Sequence, residues 1–351
     1  MSKVIFKGRG ANFEPNNPYL RKKLVSEHVE GIDEAPYMDR PSTKYYEEYT
    51  KGALSKNDSP DLPLNYSVNP YQGCEHGCIY CYARNSHEYW GFDAGLGFET
   101  NIMVKHNIAE ILKKQMSKKG YKVSPIMLSG NTDCYQPAEK KYGLTRKILE
   151  LCLELRHPVS VITKNTLIER DKDLIKELAN LNLIHVYFSI NHLDNKLKSL
   201  LEPRTATAEK KINTLKEFTE AGIPCGVMVA PIIPALNTAD ISEIIKKTAQ
   251  AGALNAGYTV VRLNGTVKKV FTKWLEENFP DRSLKVMHQI EELHGGKLND
   301  TEWGRRIKGA GPMAAMIEKI FITSKERFMK GRSMPSFDLD KFSPNGQMRL
   351  F

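Results

Sequence analysis

The densest chemical signal in this sequence is a run of thiols. Three of its six cysteines fall in one short stretch, Cys74-Glu75-His76-Gly77-Cys78-Ile79-Tyr80-Cys81, with the spacing C-x3-C-x2-C. The other three, Cys134, Cys152 and Cys225, are scattered. Clustered thiols in a long chain without a secretory signal bind metal more readily than they form a disulfide framework. Two metal readings compete. Zinc prefers four ligands, and His76 or His87 would complete the set. An iron–sulfur cube held by three thiolates instead leaves one iron open to a substrate or cofactor. The sequence has no second C-x-x-C pair to close a zinc knuckle, which favours the open cluster.

The elements around the thiols predict where they stand. Short β-rich runs alternate with helical patterns. The expected strands are Leu64–Val68, Pro125–Ser129, Val159–Thr163, Ile184–Ile190, Val227–Ala230 and Tyr258–Leu263. Between them Ile108–Lys114, Leu144–Leu155, Leu167–Leu178, Glu209–Glu220 and Ile241–Ala251 have helical spacing. Continuous apolar strands separated by amphipathic helices argue for a parallel sheet covered on both faces. Six βα units in a row predict an α/β fold, a partial (βα)6 TIM-like barrel. The cysteines follow the first strand, and loops after strands line the C-terminal face of such barrels, where active sites sit.

Four regions follow from this pattern. Residues 1–60 look irregular and read as an N-terminal extension. Residues 61–265 form the core. Residues 266–330 carry helices, expected at Phe271–Phe279, Ser283–Leu293 and Met313–Phe321. Residues 331–351, with Pro335, Pro344 and Gly346, read as an extended tail.

Across its 351 residues the chain has 51 Lys and Arg against 41 Asp and Glu, a formal charge of +10. That balance suits a polyanionic partner, DNA or RNA, although a basic surface alone does not decide it. No apolar run approaches the roughly 20 residues that span a bilayer, and the first residues lack the apolar stretch of a secretory signal. The expectation is a soluble, cytoplasmic protein with no membrane partner.

With Tyr80 before the last cysteine, the motif resembles the signature of radical S-adenosylmethionine (SAM) enzymes, C-x3-C-x-aromatic-C. The resemblance continues through Leu128-Ser129-Gly130-Asn131-Thr132-Asp133, Ile162-Thr163-Lys164-Asn165, Phe188-Ser189-Ile190-Asn191, Leu201-Glu202-Pro203-Arg204-Thr205 and Val229-Ala230-Pro231-Ile232. These occur in the order seen in the spore photoproduct lyase group, and the match spans residues 64–265. It implies a 4Fe–4S cluster on Cys74, Cys78 and Cys81 whose fourth iron chelates SAM. A one-electron reductant of the flavodoxin or ferredoxin type would feed it. Reductive cleavage of SAM would yield a 5′-deoxyadenosyl radical that abstracts hydrogen from the substrate.

The same resemblance suggests roles for further residues. Tyr80 stands where the family contacts the adenine of SAM. Asn131, Thr132 and Asp133 end the second strand and could receive the SAM ammonium, with Asp133 carrying the charge; an Asx turn is the plain alternative. Lys164 and Ser189 match SAM-contacting positions, and a lysine at a barrel mouth suits the SAM carboxylate. Arg204 offers either a bidentate carboxylate clamp or an ordinary salt bridge. Cys134 lies near the position of the lyase group's hydrogen-donating cysteine but is offset from it, and a buried small hydrophobe is the alternative. Cys152 and Cys225 read as core. His76 and His87 read as solvated loop residues, and Arg84 with Tyr82, Tyr89 and Trp90 as an aromatic–basic group fit for bases and phosphates.

The substrate class points to nucleic acid, through lesion repair or base modification. A radical SAM enzyme for a peptide or small molecule is one rival, and a non-catalytic metal-binding nucleic-acid module another. At the chain end, Gln347-Met348-Arg349-Leu350-Phe351 resembles the short motif by which bacterial polymerases and repair factors bind the sliding clamp.

Overall fold

A computed structural model describes residues 8–20, 42–61 and 65–344. Ten strands form two sheets: β1 (Lys44–Glu48), β2 (Ser55–Lys56), β3 (Tyr66–Val68), β4 (Tyr71–Gln72), β5 (Asn101–Lys105), β6 (Ile126–Leu128), β7 (Val159–Thr163), β8 (Ile184–Ser189), β9 (Cys225–Ile232) and β10 (Asn255–Val260). The large sheet runs β10-β9-β8-β7-β6-β3-β2. Its neighbours from β3 to β10 pair parallel, and β2 pairs antiparallel on the edge. This is the expected α/β partial barrel, open among the described residues between β2 and β10.

The helices are α1 (Arg84–His87), α2 (Leu96–Thr100), α3 (Ile108–Met116), α4 (Pro137–Tyr142), α5 (Leu144–Glu154), α6 (Lys172–Asn180), α7 (Asn195–Leu201), α8 (Ala208–Glu220), α9 (Ile241–Gln250), α10 (Val267–Asn278), α11 (Ser283–Leu293) and α12 (Gly311–Met329). Helices α3, α5, α6, α8 and α9 cover the sheet, because each turns an apolar stripe inward. In α9 that stripe is Ile241, Ile244, Ile245, Thr248 and Ala249. One face of the sheet is apolar and buried, with Val159, Val161, Ile184, Val186, Phe188, Val227 and Val229, whereas Ile162, His185, Tyr187 and Met228 on the other face are half-buried. A second apolar cluster sits at the C-terminal end of the sheet, where Tyr80, Leu201, Val261, Phe271, Trp274 and Ile290 meet.

Three local readings change. The first 60 residues are not uniformly irregular: β1 pairs parallel with β5, and β5 antiparallel with β4, in a small second sheet. The stretch expected as one helix from Leu167 begins as a 3-10 segment, Thr166–Asp171, capped by the Asn165 side chain, before α6. Helix α12 runs well past the Phe321 expected as its end, and its Phe321 packs on Tyr258 of β10, 4.6 Å between ring centroids. The described part of the tail lies against the core, with Phe337 stacked on His185 at 3.9 Å. No helix among the described residues is long and apolar enough to cross a membrane. The candidate clamp motif, Gln347–Phe351, lies outside the described residues.

Candidate active site at the cysteine loop

Cys74, Cys78 and Cys81 lie between β4 and α1, at the C-terminal end of the parallel sheet. Cys74 and Cys78 are buried, and Cys81 is partly exposed. The loop is shaped by backbone bonds: Cys74 N–H donates to Phe98 O at 3.0 Å, and Cys81 N–H to Cys78 O at 3.3 Å. Gly77 has φ +70°, and a Cβ there would lie 3.1 Å from Pro203 Cγ, so glycine suits the turn. Burial pushes all three thiols above their ordinary values, since a bare thiolate is costly there. A bound cationic metal reverses that cost, so the donor set fits a thiolate-held cluster.

Of the two histidines offered for zinc, His76 is engaged elsewhere, whereas both ring nitrogens of His87 are buried without a hydrogen-bond partner among the described residues. Both are buried, which corrects their reading as solvated loop residues. His76 Nδ1 lies 3.4 Å from Asp133 Oδ2, and its Nε2 meets Asn165 Nδ2 at 3.1 Å. His87 stacks on Phe92 and meets Phe98 edge-on. Among the described residues no three His, Cys, Asp or Glu side chains converge on one point to hold a single ion. Thiolates that each take a different iron of a cube do not need such convergence.

Arg84 also changes role. It is fully buried, so it is not part of a phosphate-contacting surface. Its Nε donates to Cys78 O at 2.9 Å, its Nη1 to Ala94 O and Gly95 O, and its Nη2 to Glu99 Oε1 at 2.6 Å. Glu99 in turn accepts from the N–H groups of Gly10 and Ala11 at 2.9 and 2.8 Å. The guanidinium thus staples the cysteine loop, and the N-terminal segment closes over it. Tyr82, Tyr89 and Trp90 stay exposed.

The remaining predicted residues divide into a connected group and outliers. Lys164, one residue beyond β7, donates from Nζ to Ser189 Oγ and Glu202 Oε1, each at 2.9 Å, and to Ala230 O at 3.3 Å. Its ammonium stands 5.6 Å over the Tyr80 ring. Tyr80 donates its hydroxyl to Glu202. Ser189, the last residue of β8, donates to Ala230 O. Burial alone would raise the Glu202 carboxyl, but Lys164 and Lys211, with the Tyr80 hydroxyl, hold it well below the usual carboxylate range. Strands β7, β8 and β9 therefore deliver Lys164, Ser189 and Ala230 to one carboxylate.

The loop after β6 packs against the end of β7 and the start of the cysteine loop. Ser129 adopts φ +76°, a left-handed backbone that it shares with Arg156, Asn182 and Ala235 among the non-glycine residues described. Asn131 donates from Nδ2 to Gln72 Oε1 and Ser86 Oγ, and Thr132 from Oγ1 to Tyr71 O. Asp133 accepts from Thr163 Oγ1, from the Lys164 and Tyr135 N–H groups, and faces His76. Its carboxylate is thereby filled by protein donors.

Arg204 and Cys134 stand apart. Arg204 Nη1 donates to Glu75 Oε1 at 3.1 Å, the salt-bridge arrangement. Cys134 has no exposure and packs in the main core, as do Cys152 and Cys225. Sequence reasoning missed Glu202 as the hub and Lys211 altogether. The signal for Lys211 was a lysine on the buried stripe of α8, in line with Ala208, Leu215 and Phe218.

Comparison with known proteins adds four findings. The model of the Radical SAM superfamily matches residues 68–248. An uncharacterized protein of Mycobacterium tuberculosis is 34% identical over 250 residues, covering 70% of this chain and 73% of its own length. One from Methanocaldococcus jannaschii is 33% identical over 216 residues, covering 62% and 77%. Among solved structures, a mutant spore photoproduct lyase with bound AdoMet and dinucleoside spore photoproduct shares the fold. Its TM-score is 0.62 at 18% identity, over 89% of this chain and 88% of that one.

Proposed function

Since this chain belongs to the radical SAM superfamily and is a radical SAM enzyme, we propose that it binds a 4Fe–4S cluster through Cys74, Cys78 and Cys81 and uses SAM to act on nucleic acid, by lesion repair or base modification. The observation that carries the reading is the placement of the cysteine loop beside Lys164, Ser189 and Tyr80 at the C-terminal ends of the parallel strands.

When bound, the cluster and SAM supply a 5′-deoxyadenosyl radical that removes hydrogen from the substrate. The chain's own residues bind and orient. The three thiols anchor the loop. Lys164, fixed by three acceptors, directs a cation toward the SAM carboxylate. Asn131 and Thr132 shape the wall for the methionyl end. Asp133 contributes its charge to the ammonium from behind that wall, because its oxygens are already engaged. Tyr80, held by Glu202, presents its ring to the adenine, with Ser189 alongside. Arg204 and Cys134 have no part in this proposal.

Nucleic acid is favoured by the +10 charge and by the exposed Tyr82, Tyr89 and Trp90 beyond the cysteine loop, which suit base stacking. The solved lyase that shares the fold carries a dinucleoside lesion. A flavodoxin- or ferredoxin-type reductant and a reducing cytoplasmic setting complete the reading.

Anaerobic reconstitution tests the chemistry: about four irons per chain and release of 5′-deoxyadenosine are expected. Comparing DNA, RNA and protein modifications between wild-type and deletion cells tests the substrate. A change confined to protein would overturn the nucleic-acid reading. Lys164→Ala should weaken SAM binding by about 1.5–3 kcal/mol, the scale of a lost charge-assisted bond, without lowering iron content. Titration calorimetry on the reconstituted variant measures it, and an unchanged affinity removes Lys164 from the site.

A further inference from the structure

Lysine is rarely fully buried, and Lys211 is. It occupies the inward stripe of α8, where its companions Ala208, Leu215 and Phe218 are apolar. Desolvating an ammonium costs several kcal/mol, which only partners in the interior can offset. Lys211 has two. Its Nζ donates to Ser189 O at 2.8 Å and lies 3.9 Å from Glu202 Oε2. The other oxygen of that carboxylate, Oε1, accepts from Lys164.

One buried carboxylate therefore stands between two ammonium groups. His192, pushed down to about 4 by burial, adds no charge at neutral pH. With Lys164 alone, Glu202 would form a closed neutral pair, with no net field for an arriving anion. With Lys211 on the far oxygen, the set carries one positive charge in excess. The carboxylate of SAM, entering beside Lys164, would bring the set to two cations and two anions.

We propose that Lys211 is a positioning residue for SAM, offsetting the Glu202 charge so that the group around Lys164 keeps a net positive charge for the SAM carboxylate. The inference rests on the reading of Lys164 given above. It makes a charge-balance prediction that a packing role would not. Lys211→Met removes the excess cation, and Glu202→Gln in the same chain restores it by removing the anion.

The experiment is SAM titration of the anaerobically reconstituted protein, with iron content and apoprotein melting recorded for each variant. Lys211→Met is expected to weaken SAM about tenfold at unchanged iron content, the scale of one charge-assisted contact. The double variant Lys211→Met/Glu202→Gln is expected to return to wild-type affinity within about threefold. Weakening without rescue, or no weakening while Lys164→Ala still weakens SAM, overturns the role of Lys211. If Lys164→Ala itself has no effect, the reading of Lys164 fails first. Should Lys211→Met alone not fold, the double variant decides, because affinity well below wild type would sink the proposal.

Discussion

Replacing Cys78 with alanine is expected to abolish iron loading and SAM cleavage while leaving the fold intact. The two halves of that expectation have different physical origins. Cys78 contributes one small buried side chain to the cluster around Ile79, Tyr80 and Leu201, so its truncation costs about 1 kcal/mol of packing. The loop's backbone bonds and the Arg84 staple do not pass through the thiol. Iron binding has no such redundancy. Each of the three thiolates would hold its own iron, and the remaining cysteines, Cys134, Cys152 and Cys225, lie in the main core. Cys74→Ala and Cys81→Ala should behave alike. Iron per chain and 5′-deoxyadenosine release, read against the melting curve of the apoprotein, give the result. Full iron and normal cleavage in Cys78→Ala would falsify the assignment.

The second large effect concerns stability. Arg84→Ala should lower the unfolding free energy of the apoprotein by about 3–5 kcal/mol, because it strands the buried Glu99 carboxylate and removes donors from Cys78 O, Ala94 O and Gly95 O. Pairing it with Glu99→Leu removes the stranded charge but should recover the loss only in part. Glu99 also receives the N–H groups of Gly10 and Ala11, which would then be buried without partners. Chemical denaturation of the metal-free protein measures both variants. A loss under about 1 kcal/mol in Arg84→Ala would show that the pair does not hold the loop.

The parallel sheet was legible because its strands are rich in β-formers and carry a buried apolar face, as in Val159–Thr163. The small sheet was not. Strand β1, Lys-Tyr-Tyr-Glu-Glu, is largely exposed, and its partner β5 arrives from far along the chain. The cysteines and Lys164 were legible because residue type and position at strand ends coincide. Arg84, His76 and His87 were misplaced for one shared reason. A sequence shows that a group is polar, not that Glu99, Asp133 or a pair of phenyl rings will meet it in the interior. Glu202 was read as part of a motif, but its function as hub depends on Lys164, Lys211 and Tyr80 arriving from three separate elements.

The closure of the N-terminal segment over the cysteine loop has a consequence for the order in which the molecule can be made. A Cβ on Gly10 would lie 1.8 Å from Gly77 O, so the two backbones touch with no room for a side chain. The residues that form this seal are translated before the carboxylate that receives them, since Glu99 comes 89 residues after Gly10. At about 5–20 residues per second, the segment waits roughly 4–18 s for its acceptor. During that interval the ribosome delivers all three cysteines before the residue that shuts the loop. Translation itself therefore opens a window in which the thiols are present and the seal is not.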